Sequence, residues 1–265
     1  MFKGKLIASG SNAKTVKGDK LLQYETAIMY LAPFTSAGGT NVCPMAETAK
    51  CIEGCLNTAG RAAMFASIPA ARIAKTRRYL NDRSAFLADL VKDIERFISY
   101  CQRNGVKPAV RLNGTSDIQW ERGHPVQRTY AIPTDDGTVY NVVSYQSLME
   151  AFPDVQFYDY TKIPRRIVRG NLPRNYSLTL SYSGANPNYA SQVYMATAEA
   201  DANMAVVFRS KARVAEILRD GQWRGFPVVD GDVTDMRFLD PQGGHVVALY
   251  AKGKAKADCS GFVVD

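Results

Sequence analysis

Short apolar segments alternating with helical stretches predict an α/β protein whose strands run mostly parallel. Three observations carry that expectation. About seven short apolar segments recur along the chain, helical spacing fills the gaps between several of them, and polar groups collect where four of them end. The architecture expected is a partial or irregular (β/α) barrel, a single α/β domain over residues 1–265, with a long cysteine-bearing loop at about 32–62 inserted after the first strand. In such a fold functional groups gather at the carboxyl ends of the strands.

The first strand is expected at 24–31, where Ile28 and Tyr30 lie in an apolar run. The clearest helix is 84–103: Leu87, Leu90, Val91, Ile94, Phe97, Ile98 and Cys101 recur at three- and four-residue steps, with Asn81 or Asp82 to cap it and Gly105 to stop it. Further strands are expected at 109–112, 156–159, 178–181, 205–208, 228–229 and 245–250, and helices at 145–152, 188–202 and 211–219. The stretch 121–141 reads as a loop or hairpin. Four strand ends carry polar groups: Asn113-Gly114-Thr115-Ser116-Asp117, Asp159-Tyr160-Thr161-Lys162, Ser181-Tyr182-Ser183-Gly184 and Asp230-Gly231-Asp232. One such end is an ordinary turn; four suggest a shared site.

Composition narrows the class. Of the 265 residues 46% are hydrophobic and 22% charged, the make-up of a globular protein. No apolar run approaches the roughly 18–20 residues of a membrane span, and the glycine-broken start is too short for a secretory signal, so an intracellular protein without membrane attachment is expected. The net charge of +8 is clustered. Arg61, Arg72, Lys75, Arg77, Arg78 and Arg83 face one acid, Asp82, and Lys162, Arg165, Arg166, Arg169 and Arg174 face none. Such fields attract nucleic acid or a phosphorylated small molecule, although solvated surface explains them as well.

Five cysteines, an odd number, argue against a disulfide framework. Cys101 belongs to the apolar face of the long helix and Cys259 has no neighbouring ligand. Cys43, Cys51 and Cys55 form a C-x7-C-x3-C array in one loop. Thiolates attract soft metals. Structural zinc needs a fourth ligand, for which only His124, His245 and Cys259 are at hand. A [4Fe–4S] cluster uses three thiolates and leaves one iron open to an outside ligand. Three unliganded cysteines are the plain alternative. The open cluster is the reading favoured here, with zinc as its alternative.

The order of features is similar to that of radical S-adenosylmethionine enzymes, which carry a three-cysteine loop after the first strand and a glycine-containing turn after the second. That resemblance implies S-adenosylmethionine as cofactor. It assigns Cys43, Cys51 and Cys55 to the metal, Asn113, Gly114, Thr115 and Ser116 to the amino group of the methionine moiety, and Ser181 or Ser183 to the ribose region. The chain departs from the usual C-x3-C-x2-C spacing and from the Gly-Gly-Glu turn. A second resemblance spans nearly the whole chain. Asn41-Val-Cys-Pro, Cys55-Leu-Asn-Thr-Ala-Gly-Arg61, Ala71-Arg-Ile-Ala-Lys-Thr-Arg77, Arg111-Leu-Asn-Gly-Thr-Ser-Asp117, Phe157-Tyr-Asp-Tyr-Thr-Lys162, Arg237-Phe-Leu-Asp-Pro241 and Ser260-Gly-Phe-Val263 resemble a family of tailed-bacteriophage proteins. It implies expression in the cytoplasm of an infected bacterial host.

Other chemistries have less support. Two histidines, His124 in a Gly-His-Pro turn and His245 after Gly243-Gly244, do not make a triad, and no P-loop or dinucleotide fingerprint is present. Asp117, Asp159, Asp230 and Asp232 are candidates for a Mg²⁺ or Mn²⁺ site of a nuclease, or simply turn caps. Lys162 is placed to bind a carboxylate or phosphate, to move a proton, or to pair with Asp159. Lys252, Lys254 and Lys256 share one side if that segment is extended. Tyr158, Tyr160, Tyr176, Tyr182 and Tyr189 are available to stack on a base or to fill the core.

The function expected is an iron–sulfur enzyme of radical S-adenosylmethionine-like type, with Asp117, Asp159 and Lys162 as catalytic candidates and an electron donor of the host. Its substrate would be a nucleotide, nucleic acid or host macromolecule. The alternatives are a regulatory protein that binds nucleic acid or a host protein through its basic surface, with a structural metal, and a carboxylate-metal nuclease.

Overall fold

The computed structural model describes residues 4–10, 13–58 and 60–265. In chain order its elements are β1 (Ile7–Ala8), α1 (Ala13–Leu22), β2 (Tyr24–Met29), α2 (Arg61–Met64), α3 (Ser67–Asn81), α4 (Arg83–Arg103) and β3 (Lys107–Arg111). Then come β4 (Val126–Thr134), β5 (Gly137–Tyr145), α5 (Leu148–Ala151), β6 (Gln156–Thr161), α6 (Arg165–Val168), β7 (Tyr176–Ser181), α7 (Pro187–Glu199) and β8 (Met204–Phe208). The chain finishes with α8 (Lys211–Asp220), β9 (Gln222–Trp223), β10 (Phe226–Asp230) and β11 (Val246–Tyr250). Short 3₁₀ turns lie at Leu56–Thr58, Arg237–Leu239 and Gly253–Ala257.

Among the described residues, nine strands form one sheet in the order β1-β2-β3-β6-β7-β8-β11-β10-β9. Every pairing from β2 to β10 is parallel, and the short edge strands β1 and β9 are antiparallel. Five successive sheet strands, β2, β3, β6, β7 and β8, lie side by side in chain order. Their carboxyl ends therefore line one edge, as required for the shared site expected from the sequence.

Apolar periodicity explains the helix that anchors one half. On α4, Phe86, Leu87, Leu90, Val91, Ile94, Phe97 and Cys101 are buried, and they pack with Ala27, Met29, Val110, Leu112 and Phe157 from the strands. Asp82 caps it by accepting the Ala85 N–H at 3.3 Å, and Gly105 follows with φ +64°. The other half packs Leu180, Met204, Val206 and Phe208 against Val193 of α7 and Val214 and Ile217 of α8.

Several expectations need correction. The stretch 121–141 is not one of them: of the loop or hairpin expected there the structure shows the hairpin, β4 paired with β5, with residues 131–142 exposed. The helix expected at 145–152 shrinks to α5, because Tyr145 closes the hairpin and Ser147 caps the helix through the Glu150 N–H. The lysine stretch is not extended: Gly253–Ala257 is a 3₁₀ turn, so Lys252, Lys254 and Lys256 share no common strand edge. Helix α3 was invisible to apolar spacing because its buried positions are Arg72, Thr76 and Tyr79. Thr76 accepts the Ala32 N–H at 2.8 Å and so ties α3 to the start of the cysteine loop.

Candidate functional site

The carboxyl edge of the sheet carries two adjoining polar regions. In the first, the turn after β3 is closed on itself. Asn113 donates its amide to Ile118 O at 2.9 Å, and its Oδ1 accepts from Ser116 Oγ, the Ile118 N–H and Trp120 Nε1. Thr115 Oγ1 donates to Leu31 O at 2.5 Å. The Gly114 N–H bonds to Met29 O at 3.0 Å, and a Cβ there would lie 2.7 Å from that same oxygen, so the turn requires glycine. Asn113, Gly114, Thr115 and Ser116 thus form a wall rather than a row of open donors.

Asp117 and Asp159 anchor the same wall. Asp117 accepts from Thr161 Oγ1 at 2.9 Å, the Lys162 backbone N–H at 2.7 Å and Arg166 Nη1 at 2.9 Å. Arg166 in turn grips Glu121 with Nε at 3.0 Å and Nη2 at 2.8 Å, the fork geometry that suits a carboxylate. Asp159 accepts the Asn113 N–H at 2.7 Å and the Tyr176 hydroxyl at 2.9 Å. Burial raises the pKa of Asp117, against the opposing Arg166 charge, and pushes that of Asp159 up to about 7. Both carboxylates hold strand ends in register, and their acceptors are already engaged.

The second region contains the thiols. Cys43, Cys51 and Cys55 are half-buried. The Cys43 N–H is held by Asn41 Oδ1 at 2.7 Å, and its Sγ lies 3.7 Å from Thr115 O. Cys51 Sγ lies 3.8 Å from Ala46 O, and Cys55 Sγ accepts the Asn57 N–H at 3.5 Å. Cys51 packs against Ala251, Ala255, Phe262 and Val263. Gly54 sits so close to Phe262 that an added Cβ would lie 2.9 Å from its ring. Burial pushes the Cys43 thiol up to about 12 and raises Cys55 as well, and the other thiols add to both shifts.

Lys162, at the end of β6, joins the thiols to the neighbouring strand. Its ammonium donates to Ser181 Oγ at 2.9 Å and Ser181 O at 3.1 Å, and stands 4.8 Å from the Phe262 ring centroid. Burial lowers its pKa, and Cys51, Asp117, Cys55 and Cys43 all act in the opposite direction. Ser183 instead donates to Ala49 O at 2.7 Å and pins the cysteine loop. Lys162 is thus fixed on Ser181 and reaches the cysteine loop through Phe262, which packs with Cys51, while Asp117 and Asp159 brace the neighbouring strand ends.

A family model described as Gene product 88 matches residues 5–265. The chain belongs to the Gene product 88 family. That match fits the tailed-bacteriophage resemblance of the sequence blocks. No curated protein and no solved structure matches the chain.

In this Gene product 88 protein the other ligand candidates sit on other segments, and Cys259 adjoins Ser260, whose Oγ donates to Lys50 O at 3.2 Å. His124 is buried, with Nε2 2.8 Å from Tyr79 Oη and Nδ1 2.5 Å from Arg122 O. His245 precedes β11, at the amino edge of the sheet. Cys101 is buried on α4 and Cys259 is exposed. Asp230 and Asp232 belong to the end of β10, separated from β6 by β7, β8 and β11, and Asp232 pairs with Lys252 at 2.9 Å. The four aspartates consequently do not converge, which removes the geometric basis for a shared carboxylate-metal site. Among the described residues no three His, Cys, Asp or Glu side chains stand as a ready-made metal site, and no helix is long and apolar enough to cross a membrane.

Sequence reasoning missed Phe262, Arg72 and Arg166. Arg72 donates to Asn57 Oδ1 at 2.5 Å beside Cys55 and lies over the Tyr30 ring at 4.7 Å. Arg166 was legible only as one charge in a basic run. For Phe262 the one signal was the preceding glycine: Gly261 has φ +91° and its backbone meets Ala185, which places the ring over the pocket.

Proposed function

We propose that this Gene product 88 protein is an iron–sulfur enzyme of radical S-adenosylmethionine-like type, acting in the cytoplasm of an infected bacterial host. The observation that carries the proposal is the placing of Cys43, Cys51 and Cys55 in one loop after the first parallel strand, with Lys162 at the end of β6 electrostatically coupled to that loop. That strand order supports a partial (β/α) barrel, whose active groups sit at this edge. The case is chemical rather than geometric: three soft thiols in one loop, with both histidines engaged or placed elsewhere, suit an open [4Fe–4S] cluster better than a four-ligand zinc site, while no three such side chains stand ready-made among the described residues.

Cys43, Cys51 and Cys55 would hold the cluster, which supplies one-electron reduction at an iron open to S-adenosylmethionine. The chain's own residues do the positioning. Phe262 covers the pocket and excludes water, Ser181 fixes the Lys162 ammonium, and the Asn113–Ser116 turn keeps the loop at its distance from β3. Exposed Arg165, Arg169, Lys254 and Lys256 favour a phosphate-bearing substrate, a nucleotide or nucleic acid.

The test is metal and sulfide analysis of anaerobically purified protein. About four iron and four sulfide per chain are expected, and Cys51→Ala should lose them. Stoichiometric zinc without iron would turn the loop into a structural clasp and end the radical reading.

A further inference from the structure

The hairpin of β4 and β5 stands apart from the nine-stranded sheet, and among the described residues its two strands pair only with each other. Its base is fixed. Val126 is buried, and Arg128 donates to Glu95 Oε1 at 3.1 Å and to Ala151 O at 2.7 Å while lying over the Phe152 ring at 4.3 Å. The outer part has no such cover. Residues 131–142 are exposed, with Tyr140 at 70% and Val139 and Val142 at 55% each. Two strands alone are marginally stable in water, and a third strand or a packed helix is what normally supports them.

The two outer edges of the hairpin differ. β4 carries Arg128 and Pro133, which has no N–H to offer, and such residues guard an edge that must stay unpaired. β5 runs Gly137-Thr-Val-Tyr-Asn-Val-Val-Ser-Tyr145 with no proline and no charge. A nine-residue strand rich in β-branched and aromatic side chains, left unguarded, is a template for another strand.

Charge selects the occupant. The chain carries +8, yet β5 is neutral, so two copies can lay β5 against β5 without opposing like charges. In an antiparallel pair each hairpin turn points at the body of the other copy. That turn holds Asp135 and Asp136, acids directed at a basic chain. The same acids, and the lack of lysine in the hairpin, turn away a phosphate backbone, which a two-stranded ribbon would meet in a nucleic-acid groove.

We propose that β5 is the self-association edge of this protein: two copies pair β5 with β5, antiparallel about a two-fold axis at Asn141, and merge their hairpins into one four-stranded sheet. A strand paired with its own copy is an isologous contact, the kind that closes a two-fold dimer. Tyr140 then lies beside the partner's Val142 and Val139 beside the partner's Val143, cross-strand pairs of a stabilising kind. Main-chain hydrogen bonds supply the affinity.

The experiment is sedimentation velocity on wild type, Asn141→Lys, Asn141→Asp, an equimolar mixture of those two, and Thr129→Lys. Wild type should be a dimer that dissociates on dilution. Each Asn141 variant alone opposes two like charges at the axis and should weaken the dimer about fivefold or more. Mixed, they set a cation against an anion and should restore a dimer containing one copy of each, read by native mass spectrometry. Thr129→Lys charges the other strand of the same hairpin and should associate as wild type does. Asn141 and Thr129 are exposed, so all three variants should fold, which circular dichroism checks. A wild type that stays monomeric at every soluble concentration overturns the proposal and leaves the edge to a strand of another protein. Asn141 variants that dimerise as well as wild type, a mixture that stays monomeric, or a Thr129→Lys that dissociates equally would each overturn it too.

Discussion

The two polar regions at the carboxyl edge use charge in opposite ways. Around Asp117, Asp159 and Arg166 every charged group is engaged: one guanidinium holds Asp117 and Glu121, Thr161 donates to Asp117, and Asp159 accepts from Asn113 and Tyr176 without an ion pair. A few ångströms of chain away, Lys162 faces thiols and a serine with no carboxylate in range. A fully satisfied network rigidifies a fold and has little left to offer a ligand. A partly balanced one retains chemistry to spend. Aspartates at strand ends read as catalytic candidates in the sequence; here their carboxylates are engaged by neighbouring donors, and burial keeps the Cys43 and Cys55 thiols protonated.

The sharpest way to break the contrast is Arg166→Met. It strands Asp117 and Glu121 in buried surroundings and should cost about 3–5 kcal/mol in urea unfolding; a loss under 1 kcal/mol would mean that the network is not a frame. Next comes Asp159→Asn, read against pH. The folded-state pKa of Asp159 lies near 7, above its ordinary value of 3.8. Its contribution is therefore complete below about pH 4 and is lost as pH rises through about 7, a change on the order of 4 kcal/mol. The variant should flatten that part of the stability profile; an unaltered slope would show that another group titrates.

Gly114→Ala sets a Cβ against Met29 O and the Tyr30 ring. Thermal melts should report a loss of about 1–3 kcal/mol, and a neutral result would show that the turn yields. The smallest effect on folding is expected from Cys55→Ser in metal-free protein, under about 1 kcal/mol because the thiol is half-buried and the change replaces one sulfur by one oxygen. A large loss there would place the thiols in the frame and erase the distinction between the regions.

How much of this was readable beforehand depends on which signal each element carried. Helix α4 was plain because seven apolar side chains repeat along one face. Its neighbour α3 was hidden because it turns Arg72, Thr76 and Tyr79 inward, and polar burial leaves no apolar period. That one loop after the first parallel strand carries Cys43, Cys51 and Cys55 was legible from spacing and order. Division of labour among the polar strand ends was not. Asp117 and Asp230 look alike in sequence, and only the position of β10 beyond β11 separates them. Long-range partners were equally silent, since nothing near Lys162 announces Phe262.

The wall of the thiol pocket joins parts of the chain that are far apart in order. Ser260 Oγ bonds to Lys50 O across 210 positions, and Ser183 reaches Ala49 across 134. Contacts of such separation pay the largest loop-closure cost and form late in folding. The cysteine loop is accordingly held by two segments that only the folded chain brings against it. Before they dock its sulfurs lack that cover, so an oxidant would reach them most easily in the unfolded chain.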